Sequence, residues 1–181
     1  MTPPGLAVVA EAARGRGLPP VHLWNPPHCG DIDILIRADG VWMHEGSPIG
    51  RAELVRLFST VLRLDPDGYH LVTPVEKLRI RVQDAPFRAV AVERRGDDLC
   101  FTTDVGDETI AGPDNPIRVT TDPVTQEPAP YVHVRRGLEA RIARSVFYEL
   151  VEMGQVSGDR LVIGSGGAEF DLGLLTVGDG A

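Results

Sequence analysis

The chain has few residues that support covalent chemistry or metal binding through sulfur. Its 181 residues include two cysteines, Cys29 and Cys100, and a single lysine, Lys77. Two cysteines this far apart do not make a disulfide framework or a paired metal-binding motif, and Schiff-base chemistry would depend on Lys77. Because residues 1–13 also lack the basic and apolar regions of a signal peptide, we expect a cytoplasmic protein with reduced cysteines.

The sequence also lacks a long apolar run and a surplus of basic residues. No stretch reaches the roughly 18 apolar residues that a membrane-spanning helix requires. Acidic residues outnumber basic residues by 26 to 18, which gives a net charge of −8. Proteins that bind nucleic acids usually present a basic face to the phosphates. The sequence therefore predicts neither a membrane protein nor a nucleic-acid partner.

Glycine and proline, in contrast, are abundant, with 20 and 15 residues, and they divide the chain into short elements. The four prolines of residues 18–30 predict an extended lead-in without regular structure, anchored by Leu23 and Trp24. A short helix is predicted before it, over Leu6–Arg14. The chain end from Thr176 is predicted to fray.

Residues 33–82 read as two strands, a helix and two strands. Alternating patterns and turn signals predict strands over residues 33–37, 41–44, 69–73 and 77–82. Between them, apolar residues at helical spacing predict a helix of about 16 residues; these residues are Leu54, Val55, Phe58, Val61 and Leu62.

From Pro86 the pattern starts afresh with a hairpin over residues 88–103. Strands are then predicted over residues 117–121 and 131–134, followed by a final hairpin over residues 159–172. A second helix of about 16 residues is predicted between them from helical spacing; its apolar residues are Leu138, Ile142, Val146, Leu150 and Val151.

The same order of elements thus occurs in residues 33–82 and in residues 117–172. This similarity favours an internal duplication, although an α+β chain can show such an order by accident. We therefore predict an α+β fold of two tandem, topologically similar units, residues 1–85 and 86–181. Each would be a small, mostly antiparallel sheet with one main helix, in the order strand-strand-helix-strand-strand. The first unit would carry the extended, proline-rich lead-in.

Several short motifs resemble those of one uncharacterised bacterial family, domain of unknown function 1285 (DUF1285). The resemblance covers nearly the whole chain and is densest over residues 28–87. It rests on His28-Cys29-Gly30-Asp31, Asp39-Gly40-Val41-Trp42, Gly46-Ser47-Pro48-Ile49, Leu71-Val72-Thr73-Pro74-Val75-Glu76-Lys77 and Asp84-Ala85-Pro86-Phe87. It implies a fold of two related α+β units and a suspected role in signal transduction. The family has no assigned catalytic residues, so none can be transferred.

The best candidate metal cluster comprises His28, Cys29, Asp31, Asp33 and His44. Thiolate, imidazole and carboxylate groups can together hold a divalent ion such as zinc, and a hairpin would bring His44 near Asp33. Cys29 could alternatively act as a nucleophile with a histidine base, although no helix N-terminus is predicted beside it. Against both interpretations, Cys29 can be a small core residue and Asp31 a turn-capping residue.

A second set of residues could bind a small molecule. Trp42, His44 and Tyr69 could line a pocket in which Arg51 holds an anion, although Trp42 also suits the core of the first unit. Glu76 and Lys77 could form a polar site, or merely a surface pair. The glycine-rich segment Gly164–Gly167 could cradle a phosphate, but the strand predicted after it favours a hairpin turn.

These observations favour a non-catalytic regulatory or sensor protein. Such a protein would bind a small molecule or a protein partner between its two units, and the sequence requires no cofactor. The alternative is a metal- or thiol-dependent enzyme centred on His28, Cys29, Asp31 and His44. A third possibility is a protein–protein module that uses exposed sheet edges as its docking surface.

Overall fold

The fold is given by a computed structural model, which describes residues 17–175. The predicted helix over Leu6–Arg14 and the predicted fraying from Thr176 lie outside the described residues. The chain divides into two compact units, the first ending at Pro86 and the second beginning at Phe87.

The first unit is built on a six-stranded sheet and one α-helix. Its strand order is β3-β2-β1-β6-β5-β4. After a short 3-10 helix, Val21–Leu23, the elements are β1 His28–Ile36, β2 Trp42–His44, β3 Ser47–Pro48, α1 Ala52–Thr60, β4 Leu62–Asp65, β5 Gly68–Val72 and β6 Glu76–Val82.

The second unit has a six-stranded sheet, one α-helix and a smaller sheet of three strands. The orders are β10-β11-β12-β7-β8-β9 and β13-β14-β15. The elements are β7 Phe87–Arg95, β8 Asp98–Thr103, β9 Glu108–Ile110, β10 Ile117–Thr121, β11 Pro128–Arg135, β12 Leu138–Ile142, α2 Arg144–Met153, β13 Gln155–Ser157, β14 Arg160–Ser165 and β15 Ala168–Leu174. Neither described α-helix is long and apolar enough to cross a membrane.

The two large sheets share one topology. In each unit, the first three strands form an antiparallel meander and the next three form another. The first strand then lies parallel to the sixth, β1 beside β6 and β7 beside β12. The repeat therefore comprises β1–β6 and β7–β12. The predicted alignment of residues 33–82 with 117–172 is wrong, because α1 follows the third strand of its unit and α2 follows the sixth.

The core of the first unit lies on one face of its sheet, against α1. Ile34 and Ile36 of β1 are fully buried, and Trp42 of β2 is buried against Phe58 of α1, with ring centroids 6.5 Å apart. Helix α1 has 9 residues, fewer than predicted, because Leu62 begins strand β4. The turn that follows β4 pairs it with β5, and a strand here gains ladder hydrogen bonds that a longer helix would lose.

In the second unit, helical spacing also overestimated the length of the helix. Leu138 and Ile142 belong to β12, in which residues 138, 140 and 142 are buried and the residues between them are half-buried. A spacing of four residues fits both a helix face and the two-residue period of a strand, so these positions carry an ambiguous signal. Helix α2 begins at Arg144 and buries Val146 and Leu150.

The proline-rich lead-in is held by one of the predicted residues, half-buried Trp24, and by one that was not predicted. Val21 is buried, whereas Leu23 is exposed. The guanidinium of Arg63 in β4 donates hydrogen bonds to the carbonyl oxygens of Val21 (2.8 Å) and Trp24 (2.7 Å). The lead-in is also shorter than predicted, because β1 begins at His28.

Candidate functional site

The predicted small-molecule residues are dispersed over the first unit. Trp42 is 2% exposed and packs in the core, and its indole N–H is a buried donor without a hydrogen-bond partner among the described residues. Tyr69 is half-buried in β5, and Arg51 is exposed at the start of α1. His44 is half-buried in β2, opposite Ile34 of β1. In the sheet order β5 is three strands away from β2, so Tyr69 does not lie beside Trp42 and His44.

The predicted metal cluster is also not assembled. Four of its residues lie on β1, where Asp33 forms an ion pair with Arg81 (2.6 Å) and the His28 imidazole lies 3.7 Å from the Glu76 carboxylate. Cys29 is an exposed, free thiol. Within residues 17–175, the one group of three possible metal ligands with their atoms within 4.8 Å of one another is a different set, Asp65, Asp67 and His70.

This second cluster surrounds the turn between β4 and β5. His70 is 2% exposed, and its Nδ1 lies 3.0 Å from the Gly68 carbonyl oxygen. The imidazole lies 3.8 Å from the Asp65 carboxylate and 3.5 Å from that of Asp67. The spacing Asp-x-Asp-x-x-His on a hairpin is the signal that could have identified the cluster.

Basic side chains already neutralise both carboxylates of the cluster. Arg63 donates two hydrogen bonds to Asp65 (2.8 and 3.0 Å), Lys77 approaches the same carboxylate to 2.7 Å, and Arg79 binds Asp67 at 2.8 Å. The hydrogen bond from Arg63, supported by Lys77, lowers the pKa of Asp65 to about 2. A divalent cation would have to compete with Arg63, Lys77 and Arg79 for the two carboxylates. The arrangement is therefore one of ion pairs that stabilise the hairpin.

Lys77, a predicted candidate, thus lies beside both carboxylates of this cluster. The cluster also affects His70. Burial of the His70 imidazole lowers its pKa below the ordinary 6.5, and the nearby Lys77 ammonium acts in the same direction. Asp67 and Asp65 oppose the shift. His70 is therefore a neutral, buried group at physiological pH.

The segment Gly164–Gly167 forms the turn of the β14–β15 hairpin and docks onto the sheet of the second unit. The hydroxyl of buried Ser165 accepts a hydrogen bond from the Leu99 N–H (2.8 Å) and donates one to the Ala111 carbonyl oxygen (2.7 Å). The Gly166 N–H donates to Asp98 (3.1 Å). Because its polar groups bind the fold itself, this segment is a structural turn. A cavity of about 600 Å³ lies beside it, where Arg94 donates to the Gly164 carbonyl oxygen (2.9 Å).

A larger groove, of about 900 Å³, lies in the second unit between β10 and β15. These strands are edge strands of different sheets, and they approach within 8 Å between Cα atoms. Every residue of β10 lines the groove, as does every residue from Glu169 to Leu175. A strand that presented a face would contribute alternate residues, so both strands present their edges to this groove.

The hydrogen-bond alternation of β10 identifies which of its backbone groups face outward. At the ends of the β10–β11 ladder, the His133 N–H donates to Pro116 (3.1 Å) and the Asp122 N–H donates to Glu127 (2.8 Å). Because bonded and non-bonded pairs alternate in an antiparallel ladder, Thr120 bonds to β11, whereas the N–H and C=O groups of Val119 point away from β11. Ile117 and Thr121 have the same orientation as Val119, by the same alternation.

No backbone hydrogen bond satisfies these outward groups among the residues that the structure describes. The groove thus combines a strand edge that has no backbone hydrogen-bond partner in this part of the chain with apolar walls from α2, where Phe147 and Val151 line it, and from Leu174. The sequence predicted the β10 strand itself. It could not indicate that the strand lies at an edge, because that depends on which strands pair.

Comparison with known proteins agrees with the resemblance seen in the sequence. The family profile described as "Domain of unknown function (DUF1285), N-terminal domain" matches residues 19–85, and "Protein of unknown function (DUF1285), C-terminal domain" matches residues 86–172. No curated protein matches the chain significantly.

Two solved structures are similar to the chain. A DUF1285 family protein from Silicibacter pomeroyi DSS-3 is 50% identical, with a TM-score of 0.87 over 96% of this chain and 97% of its own. A DUF1285 family protein from Shewanella baltica OS155 is 30% identical, with a TM-score of 0.55 over 66% of this chain and 90% of its own. The two matched profiles and the extent of the first of these similarities show that the chain belongs to the DUF1285 family.

Proposed function

We propose that the protein is a non-catalytic regulatory protein that binds an extended segment of a protein partner along the outward edge of β10. The open edge of β10 carries this proposal. The outward N–H and C=O groups of Ile117, Val119 and Thr121 match the two-residue spacing with which another strand pairs. Addition of a strand at such an edge is a common mode of peptide recognition, in which main-chain hydrogen bonds supply affinity.

The polar clusters of the protein support a non-catalytic role. In the first unit, Asp65, Asp67 and Lys77 form ion pairs with one another and with neighbouring arginines. In the second, Ser165 is buried with both of its hydrogen bonds made inside the fold. These groups stabilise the structure and are not positioned to react with a bound molecule. The proposal includes a role in signalling in the cytoplasm, where Cys29 and Cys100 stay reduced.

The proposed site lies wholly within the second unit, which differs from the site between units expected from the sequence. The groove volume of about 900 Å³ is also large enough for a small molecule. A peptide is favoured because a small molecule would leave most of the outward backbone groups of β10 unpaired.

The test uses a displayed library of random peptides of about ten residues, selected on the purified full chain. We expect enriched peptides that bind the wild-type protein and fail to bind Val119→Pro. Proline at residue 119 removes an outward N–H that the partner needs and leaves the bonds between β10 and β11 in place. Val119→Ala is the matched control, because it shortens the same side chain and keeps the N–H.

Peptide affinities are measured by titration calorimetry, and circular dichroism checks that each variant is folded. Loss of binding in Val119→Pro with retention in Val119→Ala supports strand addition at this edge. Equal binding to both variants, or no enrichment from the library, rejects the proposal.

A further inference from the structure

Strand β14 lacks a side chain on its outward face near the β7–β8 turn. Ile163 and Ser165 of β14 are buried in the core, so the alternation of the strand places Gly164 between them on the outward face. Gly164 pairs with Glu169 of β15. In the part of the chain that the structure describes, a Cβ added at Gly164 would have one close neighbour beyond the adjacent residues, the Ala168 carbonyl oxygen at 3.7 Å. The missing side chain therefore leaves room on this face of the strand.

This room is part of the cavity of about 600 Å³ that lies beside the turn of the β14–β15 hairpin. Arg94, at the end of β7, and Asp97, in the turn after it, line the cavity. Half-buried Met153 at the end of α2 and half-buried Val162 of β14 add apolar surface. Binding sites for small molecules have volumes of about 300–1,000 Å³, so the cavity has room for one small molecule.

The guanidinium of Arg94 is held in place without being neutralised. Its Nη1 donates hydrogen bonds to the carbonyl oxygens of Gly164 (2.9 Å) and Asp97 (3.4 Å). No carboxylate within residues 17–175 forms an ion pair with Arg94, and its Nε and Nη2 have no hydrogen-bond partner there. A guanidinium fixed in this way offers the planar pair of donors that binds a carboxylate at two points.

Two carboxylates line the same cavity. Glu169 and Asp97 are both exposed, and neither forms an ion pair with another described residue. Glu169 lies directly opposite Gly164, the residue whose carbonyl oxygen holds Arg94. Cross-strand partners are about 5 Å apart between Cα atoms, so the positive and negative groups are close enough to contact one small molecule. The cavity therefore presents both signs of charge to a ligand.

We infer that this cavity binds a free α-amino acid with an apolar side chain. Arg94 binds the α-carboxylate, and Glu169 and Asp97 bind the ammonium group. The side chain of the ligand packs against Met153 and Val162. A ligand with a charge of one sign leaves the opposite charge of the cavity without a partner, so the zwitterion is preferred. Because the site is built from β7, β14, β15 and the end of α2, its occupation does not depend on the β10 edge.

The first test titrates the full chain by calorimetry with leucine, and with valine and methionine as alternative side chains. For leucine, isoamylamine lacks the carboxylate and isocaproate lacks the ammonium group. We expect at least one of the amino acids to bind, and its amine and acid analogues to bind about tenfold more weakly. Equal affinity of the amine overturns the role of Arg94, and equal affinity of the acid overturns the role of the carboxylates. No binding by any of the three amino acids overturns the inference.

The second test fills the cavity from the strand. The Gly164 backbone is not left-handed, its added Cβ would make an ordinary contact, and β-branched residues suit strands. Gly164→Val should therefore abolish amino-acid binding without lowering the melting temperature. Full binding in a folded Gly164→Val, as judged by circular dichroism, overturns the location of the site.

The third test removes the carboxylate-binding group. Arg94→Gln should weaken binding of the amino acid about tenfold. Arg51→Gln is the matched control, because Arg51 is an exposed arginine at the start of α1 and does not line the cavity. Equal weakening by both variants, or by neither, overturns the assignment of Arg94.

Discussion

Gly166 shows most directly how a single residue constrains this fold. A Cβ added at Gly166 would lie 2.6 Å from the Ala111 carbonyl oxygen, and the backbone there has φ +58°. Its neighbour Gly167 has φ +78° but has no heavy atom within 4 Å of an added Cβ. Both glycines therefore have a left-handed backbone, but an added Cβ would clash with a neighbouring atom only at Gly166.

This difference predicts unequal effects of alanine at the two positions. Gly167→Ala should lower the free energy of unfolding by about 1 kcal/mol, the penalty for a left-handed backbone. Gly166→Ala should lower it by about 3 kcal/mol, because the contact with Ala111 adds an overpacking term. Urea unfolding of the two variants measures the difference. Equal losses would show that the docked turn moves freely to make room.

His70 predicts a pH dependence of stability. Its pKa is lowered in the folded state by burial, so as the pH falls below 6.5 the unfolded chain takes up a proton at this residue before the folded chain does. The free energy of unfolding must then decrease with falling pH. Replacement of His70 by Gln removes this term, so the variant should lose less stability between about pH 8 and about pH 5.

Urea unfolding across this range measures the contribution of His70 to the free energy of unfolding. The contributions of the other histidines are the same in the wild type and in His70→Gln, so they cancel in the comparison. Asp65 acts in a lower window, because its pKa is about 2 when folded and 3.8 as the ordinary value, and its stabilising effect is lost only as the pH falls through that interval. Parallel pH profiles for the wild type and the variant would contradict the role of His70.

At the scale of elements, Arg63 connects β4 to the proline-rich lead-in. One guanidinium binds both oxygens of Asp65 and the carbonyl oxygens of Val21 and Trp24. Arg63→Lys keeps the charge and loses this planar geometry. We expect a loss of about 2 kcal/mol in the free energy of unfolding and faster amide exchange in the 3-10 helix, Val21–Leu23.

Arg79→Lys is the control for Arg63→Lys. Arg79 is half exposed and binds Asp67 at one contact of 2.8 Å, so its replacement should change stability by less than about 0.5 kcal/mol. Hydrogen exchange followed by mass spectrometry reports on the lead-in separately from global unfolding. Unchanged exchange there in Arg63→Lys would show that the guanidinium does not hold the segment.

The edge position of β10 predicts opposite tolerances to proline at adjacent residues. Val119→Pro should leave most of the stability, because the N–H that it removes has no partner in the ladder. Thr120→Pro removes an N–H that bonds to β11 and should lower the free energy of unfolding by about 3 kcal/mol. Thermal unfolding distinguishes the two. A larger loss at Val119 would mean that its N–H is bonded in the folded protein.

Strands were easier to predict than helix limits, and the reason lies in the spacing of particular residues. The strand Ile117–Thr121 was predicted with its observed bounds, because alternation and flanking turns agree there. Leu62 and Leu138 were placed in helices although they begin strands β4 and β12. A spacing of four residues fits both the period of a helix and the two-residue period of a strand, so it does not distinguish them. The candidate groove could not be predicted, since its walls come from strands that are distant in sequence.

At the scale of the whole molecule, the duplication was predicted and its alignment was not. Two tandem units, each with a mostly antiparallel sheet, are present. The predicted alignment matched the helix of one unit with the helix of the other. The repeat instead consists of strands, because β1–β6 and β7–β12 pair in the same order. Helices are prominent in a hydrophobic pattern, whereas strand partners leave no local signal, because pairing is decided by residues far apart in the chain.

The parallel pairing of first and sixth strands also sets the order in which each unit can be completed during synthesis. His28 pairs with Glu76, and Phe87 pairs with Ala140, so the partner of β1 is made about 2–10 s after β1 at ordinary rates of translation. Until then β1 has an open edge on a growing chain, a site at which nascent strands associate wrongly. The same interval recurs for β7. The protein therefore passes through two periods of vulnerability on the ribosome, each ended by the last strand of a sheet.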